Sequence, residues 1–349
     1  MSRELKEELA AQLSQQSEWC ESLGSQLYAR LLAEASRDAA EGGVVWKALG
    51  RHMPAPLWEV MLPLRFMAAM HAVVLSGRAP ALAAFYPSAG GAEKSDAAWA
   101  PFRDALEEHL DEVQALSDLP VQTNEVGRCA ALIGGFLRVA AMTRLPLRML
   151  EVGAAGGLNL RWDHYRYEGA NGAWGPKSSP VHLAWDEAPP HLDARIEVVE
   201  RAGCDPHPMD PEDEGDQIRL LSAVWSDQLD RIERLRGALA VAGALPVAVG
   251  PGTASEWLPQ ALQSPAPGVA TVVFHSVVRQ YLSEAEQAEL TSILETAGEG
   301  ASSDAPVAHL TFEPDAEQLP FAVRLTTWPG GEQVAVATSG PHGLDIRWL

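Results

Sequence analysis

The stretch Leu147-Arg-Met-Leu-Glu-Val-Gly-Ala-Ala-Gly-Gly-Leu-Asn-Leu160 decides the fold of this chain. Its first residues, 147–152, form an apolar run with the length of a buried strand. Gly153, Gly156 and Gly157 then remove side chains where the backbone has to turn sharply or lie against a ligand. A helix is predicted to start directly after them, with free N–H groups facing the crevice. A strand, a glycine turn and a helix in this order predict a small-molecule site in an α/β domain.

Two ligand classes compete for this turn. A dinucleotide fingerprint, G-x-G-x-x-G, would start at Gly153 and would need glycine at Ala155 and Leu158, so nicotinamide or flavin is a poor fit. The pattern E-x-G-x-G-x-G fits better, with Ala155 in place of one glycine between Glu151 and Gly157. It resembles the first motif of class I S-adenosylmethionine-dependent methyltransferases. A tight strand-to-helix turn without any ligand is the alternative.

Length and charge limit the class of protein. A chain of 349 residues is long for one compact domain and comfortable for two. Its formal net charge of −21 argues against binding to nucleic acid or to anionic membranes, because such binding needs a basic surface. We therefore expect a small-molecule substrate, while the sequence leaves the oligomeric state open.

The cysteines and the apolar stretches indicate the compartment. Cys20, Cys129 and Cys204 are widely scattered, which predicts reduced thiols and no metal site. The charged start lacks the apolar core of a signal peptide. The longest apolar stretch, residues 238–251, is too short to span a bilayer. A cytoplasmic protein is the expectation.

Hydrophobic periodicity divides the chain in two. Leucines and aromatic residues at helical spacing predict an all-helical N-terminal domain over residues 1–120. Residues 121–349 alternate strand-like runs with helices, including one long amphipathic helix over 218–235, and end in a hairpin around Trp328-Pro-Gly-Gly331. We predict an α/β fold with a Rossmann-like, methyltransferase-type doubly wound sheet and an antiparallel C-terminal edge.

A polar segment, Gln122-Thr-Asn-Glu-Val-Gly-Arg128, precedes the glycine turn. Thr123 or Asn124 could be the N-cap of the helix that follows. Asn124 and Arg128 are predicted to bind substrate, and Arg128 would select an anionic one. Arginines on solvated helix faces are the simpler alternative.

A carboxylate on the second strand should accept the cofactor's ribose hydroxyls. Strand patterns at 181–185 and at 196–199 make Asp186 and Asp205 the two candidates. Asp205 has the better setting, but it lies much farther from Gly157 than the roughly twenty residues of a Rossmann unit, so an insertion is predicted.

Several separated segments together resemble the bacterial domain-of-unknown-function family 2332, essentially over the full length. That family's fold looks similar to class I methyltransferases. The segments that carry the resemblance are Gln122–Arg128, Leu150–Leu160, Arg201–Asp205, Val224–Gln228, Phe274–Val278 and Trp328–Gly331.

The resemblance implies a site for S-adenosylmethionine. Glu151 would lie near the cofactor's amino-acid moiety, and small residues would let the backbone approach it. The third strand of such a fold should end in an acid that binds the adenine amino group, but Gly250-Pro-Gly-Thr253 stands there. The residues predicted to bind cofactor are Glu151, Gly153, Ala155, Gly156, Gly157, Asn159 and Asp205.

His275 stands at the carboxyl end of the predicted fourth strand, where open α/β sheets place reacting groups. A neutral imidazole there could be the general base of methyl transfer. Glu125 and Asp163 are further catalytic candidates, and a histidine with only a structural role is the alternative for His275.

The predicted function is therefore methyl transfer from S-adenosylmethionine to a small acceptor, anionic if Arg128 binds it, with the helical domain covering the site. A non-catalytic binding or regulatory protein on a degenerate methyltransferase fold is the alternative, favoured by Ala155 and the missing third-strand acid. Hydrolase or other transferase chemistry at the same crevice is a third possibility.

Overall fold

The computed structural model describes residues 2–54, 61–263, 266–315 and 320–349. The chain divides into two compact units, one formed by residues 1–123 and 214–233 and the other by residues 124–213 and 234–349. The boundary predicted at residue 120 lies close to the first of these divisions. Residues 214–233, which the sequence assigned to the α/β domain, pack instead with the helical unit.

The first unit is helical where it is described. Its core is formed by buried leucine, alanine and aromatic side chains, among them Phe66 and Phe102, whose rings meet edge to face at 5.6 Å. The α-helices of its described residues up to Ser117 are α1 Ser2–Ser22, α2 Gln26–Glu41, α3 Val44–Leu49, α4 Leu62–Leu75, α5 Pro80–Ala83, α6 Trp99–Glu108 and α7 Leu110–Ser117. The sequence also has an apolar segment over residues 57–75, interrupted by Pro63, and its first part, residues 57–60, lies outside the described residues.

The single amphipathic helix predicted over 218–235 is two helices, α9 Glu214–Ser222 and α10 Leu229–Ala244, after α8 Cys129–Thr143. The intervening polar residues are not a solvated helix face. Asp227 accepts hydrogen bonds from Ser25 Oγ (2.7 Å) and from Leu27 N (3.2 Å), at the start of α2. Because the helix needs an acceptor for its free N–H groups, Asp227 takes the place of a local cap.

The second unit contains an eight-stranded mixed sheet with strand order β11-β10-β9-β8-β7-β1-β5-β6. Strands β6, β5, β1, β7 and β8 run parallel to one another. The pairs β8–β9, β9–β10 and β10–β11 are antiparallel. The predicted terminal hairpin is confirmed as β9 and β10. The bounds are β1 Leu147–Val152, β5 Val198–Asp205, β6 Ala248–Pro251, β7 Ala270–Ser276, β8 Val307–Pro314, β9 Phe321–Trp328, β10 Glu332–Ser339 and β11 Arg347–Trp348.

Helices cover both faces of this sheet. On one face α8 packs closely, since Phe136 meets Phe274 of β7 at 5.2 Å. On the other face α11 Ala254–Ala261 and α12 Glu284–Glu299 join a core with Leu150 and Val273. Side chains alternate between faces along a strand, so Val273 and Phe274 define the two sides. The predicted α/β architecture with an antiparallel C-terminal edge is thus present.

An additional three-stranded sheet lies between β1 and β5 in the chain. Its strands β2 Arg166–Gly169, β3 Gly172–Trp174 and β4 His182–Trp185 pair in the order β3-β2-β4. Trp185 stacks on Tyr167 at 5.4 Å and donates its Nε1–H to the carbonyl of Ala130 in α8 (2.9 Å). This sheet is the insertion that separates Gly157 from Asp205.

Two local predictions need correction. The glycine turn is followed by a short 3-10 helix, Asn159–His164, rather than by an α-helix. Residues 126–143 form a helix long and apolar enough to cross a membrane, although the sequence pointed to 238–251 as the longest candidate. This helix is 78% buried within the protein, as expected for a core helix.

The other 3-10 turns in the described residues are Gly50–His52, Pro87–Ala89, Ser95–Ala97, Val126–Arg128 and Arg279–Tyr281.

We predict that Asp227→Ala lowers the free energy of unfolding of the helical unit by roughly 1–3 kcal/mol, because it removes two hydrogen bonds to a carboxylate. Urea unfolding followed by circular dichroism measures the change. Asp104→Ala, at an exposed carboxylate on α6, is the matched control. Equal stability of the two variants would show that the start of α2 does not need this acceptor.

Candidate functional site

The turn after β1 requires small residues for two physical reasons. The backbone has positive φ at Gly153 (69°), Ala155 (51°) and Gly157 (65°). A Cβ at Gly153 would lie 2.6 Å from Val278 Cγ2, and one at Gly157 would lie 2.9 Å from Val249 Cγ2. Ala155 is the one residue of the three that carries a Cβ, at a cost of about 1–2 kcal/mol for the left-handed conformation.

The carboxylate of Asp205 offsets this cost. Asp205 ends β5, next to β1, and its Oδ2 accepts a hydrogen bond from Ala155 N at 2.9 Å. Its Oδ1 accepts one from His207 N at 2.9 Å. Hydrogen bonds to a charged group each contribute about 1.5–3 kcal/mol, which exceeds the strain at Ala155. Asp205 therefore fixes the turn to the neighbouring strand.

The two candidates for the ribose carboxylate occupy different sheets. Asp186 is exposed and directly follows β4 of the three-stranded sheet. Asp205 lies at the carboxyl edge of the main sheet, beside the turn. Of the two, Asp205 is the one that contacts the glycine turn.

Glu151 is buried on the sheet face that α8 covers. Its Oε1 accepts a hydrogen bond from Asn159 Nδ2 (3.4 Å), while Cys129 of α8 donates its thiol to Asn159 Oδ1 (3.2 Å). Its Oε2 is buried without a hydrogen-bond partner. Burial raises the pKa of Glu151 well above its ordinary value, and the nearby charge of Asp205 adds to this, against the opposing hydrogen bond from Asn159. Burial thus favours the protonated carboxyl group over the carboxylate.

The polar segment before α8 is bound to the turn. Asn124 Oδ1 accepts a hydrogen bond from Leu158 N at 3.0 Å, so this N–H does not face an open crevice. Glu125, rather than the predicted Thr123 or Asn124, is the N-cap of the 3-10 turn Val126–Arg128 that leads into α8, because its carboxylate accepts a hydrogen bond from Gly127 N at 3.0 Å.

Two arginines hold backbone carbonyls here. Arg128 donates to the carbonyls of Ser276 (3.1 Å) and Pro341 (3.3 Å), which links α8 to the end of β7. Arg161, which the sequence did not single out, is buried and donates to the carbonyls of Gly157 (2.7 Å) and Leu245 (2.9 Å). The sequence could have indicated this role of Arg161 by its position directly after the glycine turn, because a turn leaves backbone carbonyls that need hydrogen-bond donors.

Asp163 lies beside this site as an ion-pair partner. Its Oδ2 pairs with Arg201 of β5, and the two side chains are mostly buried. This contact gives Asp163 a positioning role between the 3-10 helix and β5.

His275 occupies the opposite face of the sheet from Glu151. In β7 it follows Phe274, which is paired with Glu151 and faces α8, so alternation places His275 on the α12 face. Its Nδ1 lies 2.6 Å from Glu313 Oε1 of β8. The same oxygen accepts hydrogen bonds from Val278 N (2.9 Å) and Arg279 N (3.4 Å).

The structure thus separates the predicted residues into two groups. One surrounds the glycine turn and comprises Asn124, Glu151, Asn159 and Asp205. Glu125 and Arg128 follow Asn124 in the chain and bind Gly127 N and the end of β7. His275 lies apart from the group around the turn, because adjacent residues of a strand point to opposite faces. Within the described ranges, no group of three or more His, Cys, Asp or Glu residues is arranged to hold a metal ion.

Glu151→Gln should flatten the dependence of stability on pH. A raised native pKa means that the folded state keeps a proton which the unfolded chain has lost, so this group makes the free energy of unfolding fall as pH rises above about 4.3. The variant loses that contribution. Urea unfolding at a series of pH values, compared with exposed Glu187→Gln as control, measures the slope. Parallel curves for wild type and Glu151→Gln would contradict a proton held by Glu151.

Comparison with known proteins supplies the family. Residues 10–348 match the model of a family described as "Uncharacterized protein conserved in bacteria (DUF2332)". No curated protein and no solved structure matches the chain significantly. The match confirms the family resemblance predicted from the separated segments. Because it spans nearly the whole chain, this protein belongs to the DUF2332 family.

Proposed function

We propose that the α/β unit is an S-adenosylmethionine-dependent methyltransferase that acts on a small acceptor. The observation that carries the proposal is the positive-φ turn at the carboxyl end of β1, fastened by Asp205 from the end of the adjacent strand. S-adenosylmethionine would supply an activated methyl group at this edge of the sheet.

The strand order supports a ligand at this edge. Numbered along the chain within the main sheet, β1, β5, β6, β7 and β8 are the first to fifth strands, and they lie in the order 3-2-1-4-5. In such open sheets ligands bind outside the carboxyl ends of the strands, where the order reverses. Here the order reverses between β1 and β7, and the glycine turn lies at that point.

The residues present fit parts of the cofactor. The Asp205 carboxylate, fixed by two backbone N–H groups, would accept the ribose hydroxyls. Glu151 Oε2, buried without a partner, would bind a polar group of the amino-acid moiety. Asn159 would orient Glu151. The backbone of Gly153–Gly157, including Gly156, would lie against the ligand.

Catalysis would consist mainly of positioning the acceptor, with a base to take its proton. Glu125 suits the base role better than His275, because it directly follows Asn124, which contacts the turn, whereas His275 lies on the opposite face. Arg128 and Asn124 are engaged with backbone groups, and so they would shape the site rather than select an anionic acceptor.

A specific observation favours a second candidate function, a non-catalytic binding or regulatory protein. After β6 the chain continues Gly252-Thr253, with no acid at the strand end to bind the adenine amino group. The nearest acid, Glu256, accepts from Thr253 N (2.9 Å) in a helix capping box. Such a protein would bind its ligand without turnover, as a cytoplasmic sensor.

We predict that Asp205→Asn weakens binding of S-adenosylmethionine and S-adenosylhomocysteine by about tenfold or more, as expected for loss of a charged hydrogen-bond acceptor. Isothermal titration calorimetry of the full chain measures the affinity, with NAD as a ligand control. Asp186→Asn should bind like wild type.

Two further variants keep this test interpretable. Gly153→Arg should abolish binding, because its side chain would meet Val278, whereas Gly243→Arg has open space and should bind normally. Circular dichroism identifies variants that fail to fold. Absence of heat from folded wild-type protein with either ligand would reject S-adenosylmethionine as the ligand of this turn. Binding without turnover on any acceptor would favour the non-catalytic protein.

A further inference from the structure

A polar cleft lies on the sheet face opposite Glu151, within the α/β unit. Its volume is about 940 Å³, and it runs between α12 and strands β7 to β10. The residues that matter for its chemistry are His275, Arg279, His309, Glu313, Asp315 and Arg324.

The chain topology explains the cleft. Strands β8 and β9 pair antiparallel, unlike the parallel strands before them, which require crossover connections. Helix α12 packs over β8 and β9, and polar side chains beside it, such as Thr311 and Thr326, line the cleft. The cleft therefore follows from the meander that ends the sheet.

Three buried polar atoms at this cleft have no hydrogen-bond partner. They are His275 Nε2, His309 Nε2 and Glu313 Oε2. His275 and Glu313 are at most 4% exposed, and the rings of His275 and His309 lie 5.1 Å apart. Burying such atoms unpaired costs about 1–3 kcal/mol each, so three at one cavity indicate a missing polar partner.

These atoms present mostly acceptors. His275 Nδ1 donates to Glu313 Oε1, so in the neutral ring Nε2 carries a lone pair. Burial lowers the pKa of His309 well below its ordinary value, and the charge of Arg279 lowers it further. The His309 ring is therefore neutral at pH 7. Glu313 Oε2 is an acceptor as a carboxylate.

The side chains that line the cleft carry a net negative charge, which favours a cationic ligand. Two arginines line the cleft. Arg324 is paired with Asp315 (2.9 Å), and Arg279, which donates to neutral Gln287 (3.0 Å), keeps its positive charge. Glu313 and Glu295 outweigh that charge, so the lining is negative by about one charge. The net charge of −21 also raises the local concentration of cations around the protein.

We propose that this cleft binds a small primary amine, whose ammonium group donates hydrogen bonds to His275, His309 and Glu313. This proposal rests on the side chains at the cleft and does not depend on the methyltransferase proposal. Glu313 would serve two functions, since its Oε1 holds the Val278–Arg279 backbone while Oε2 faces the ligand.

Calorimetric titration of the full chain with ethanolamine and with 1,4-diaminobutane tests the proposal. We expect measurable heat with these amines and none with acetate or glycerol. Glu313→Gln should weaken amine binding about tenfold or more, because it removes the charge yet keeps an oxygen for the Val278 and Arg279 N–H groups. His309→Phe should weaken it as well.

Matched controls separate binding from folding. Glu299→Gln and His182→Phe change exposed side chains outside the cleft and should bind amines like wild type. Asp205→Asn should also retain amine binding, so failure of the methyltransferase proposal leaves this one standing. Absence of amine binding by folded protein, binding of acetate instead, or binding of Zn²⁺ without amine binding would each overturn the proposal.

Discussion

The contact between the Asp205 carboxylate and the backbone of the turn after β1 is the interaction on which the α/β unit depends. It joins two parallel strands at their carboxyl ends and holds a non-glycine residue, Ala155, in a left-handed conformation. The surrounding groups are arranged around this turn, since Arg161 binds its carbonyls and Asn124 binds Leu158 N at its end. A site built this way is rigid before any ligand arrives, which lowers the entropic cost of binding.

Side-chain alternation along the strands divides the chemistry of this unit between two faces. Glu151 and its partner Asn159 lie on the face covered by α8, while His275 and Glu313 lie on the face covered by α12. The loop after β7 connects the two, because Val278 packs against Gly153 and donates its N–H to Glu313. This loop therefore contacts both sites.

Buried groups without partners provide the clearest indication of function. Native protein interiors pair nearly all their polar atoms. An unpaired buried carboxyl or imidazole group therefore lowers the stability of the fold and is expected mainly at functional sites. Glu151 Oε2 beside the turn and three atoms at the α12 cleft are such places. At the glycine turn and at the α12 cleft, strands and hydrogen bonds fix these side chains in position, which is the arrangement expected for ligand sites.

The sequence by itself determined the α/β class, the glycine turn, the terminal hairpin and the family. These depend on local patterns: apolar runs of strand length, glycine at positive φ, and a Pro-Gly-Gly turn between two strands. It also named Asp205 and Asp186 as two candidate ribose carboxylates and left the choice between them open.

Only the tertiary structure decided which residues meet. Asp227 holds the start of α2 from a distant part of the chain, and Glu313 pairs with His275 across adjacent strands. No local pattern encodes such pairs, because strand order and register bring them together. The face on which His275 lies was decided in the same way, since a shift of one residue in register would have reversed it.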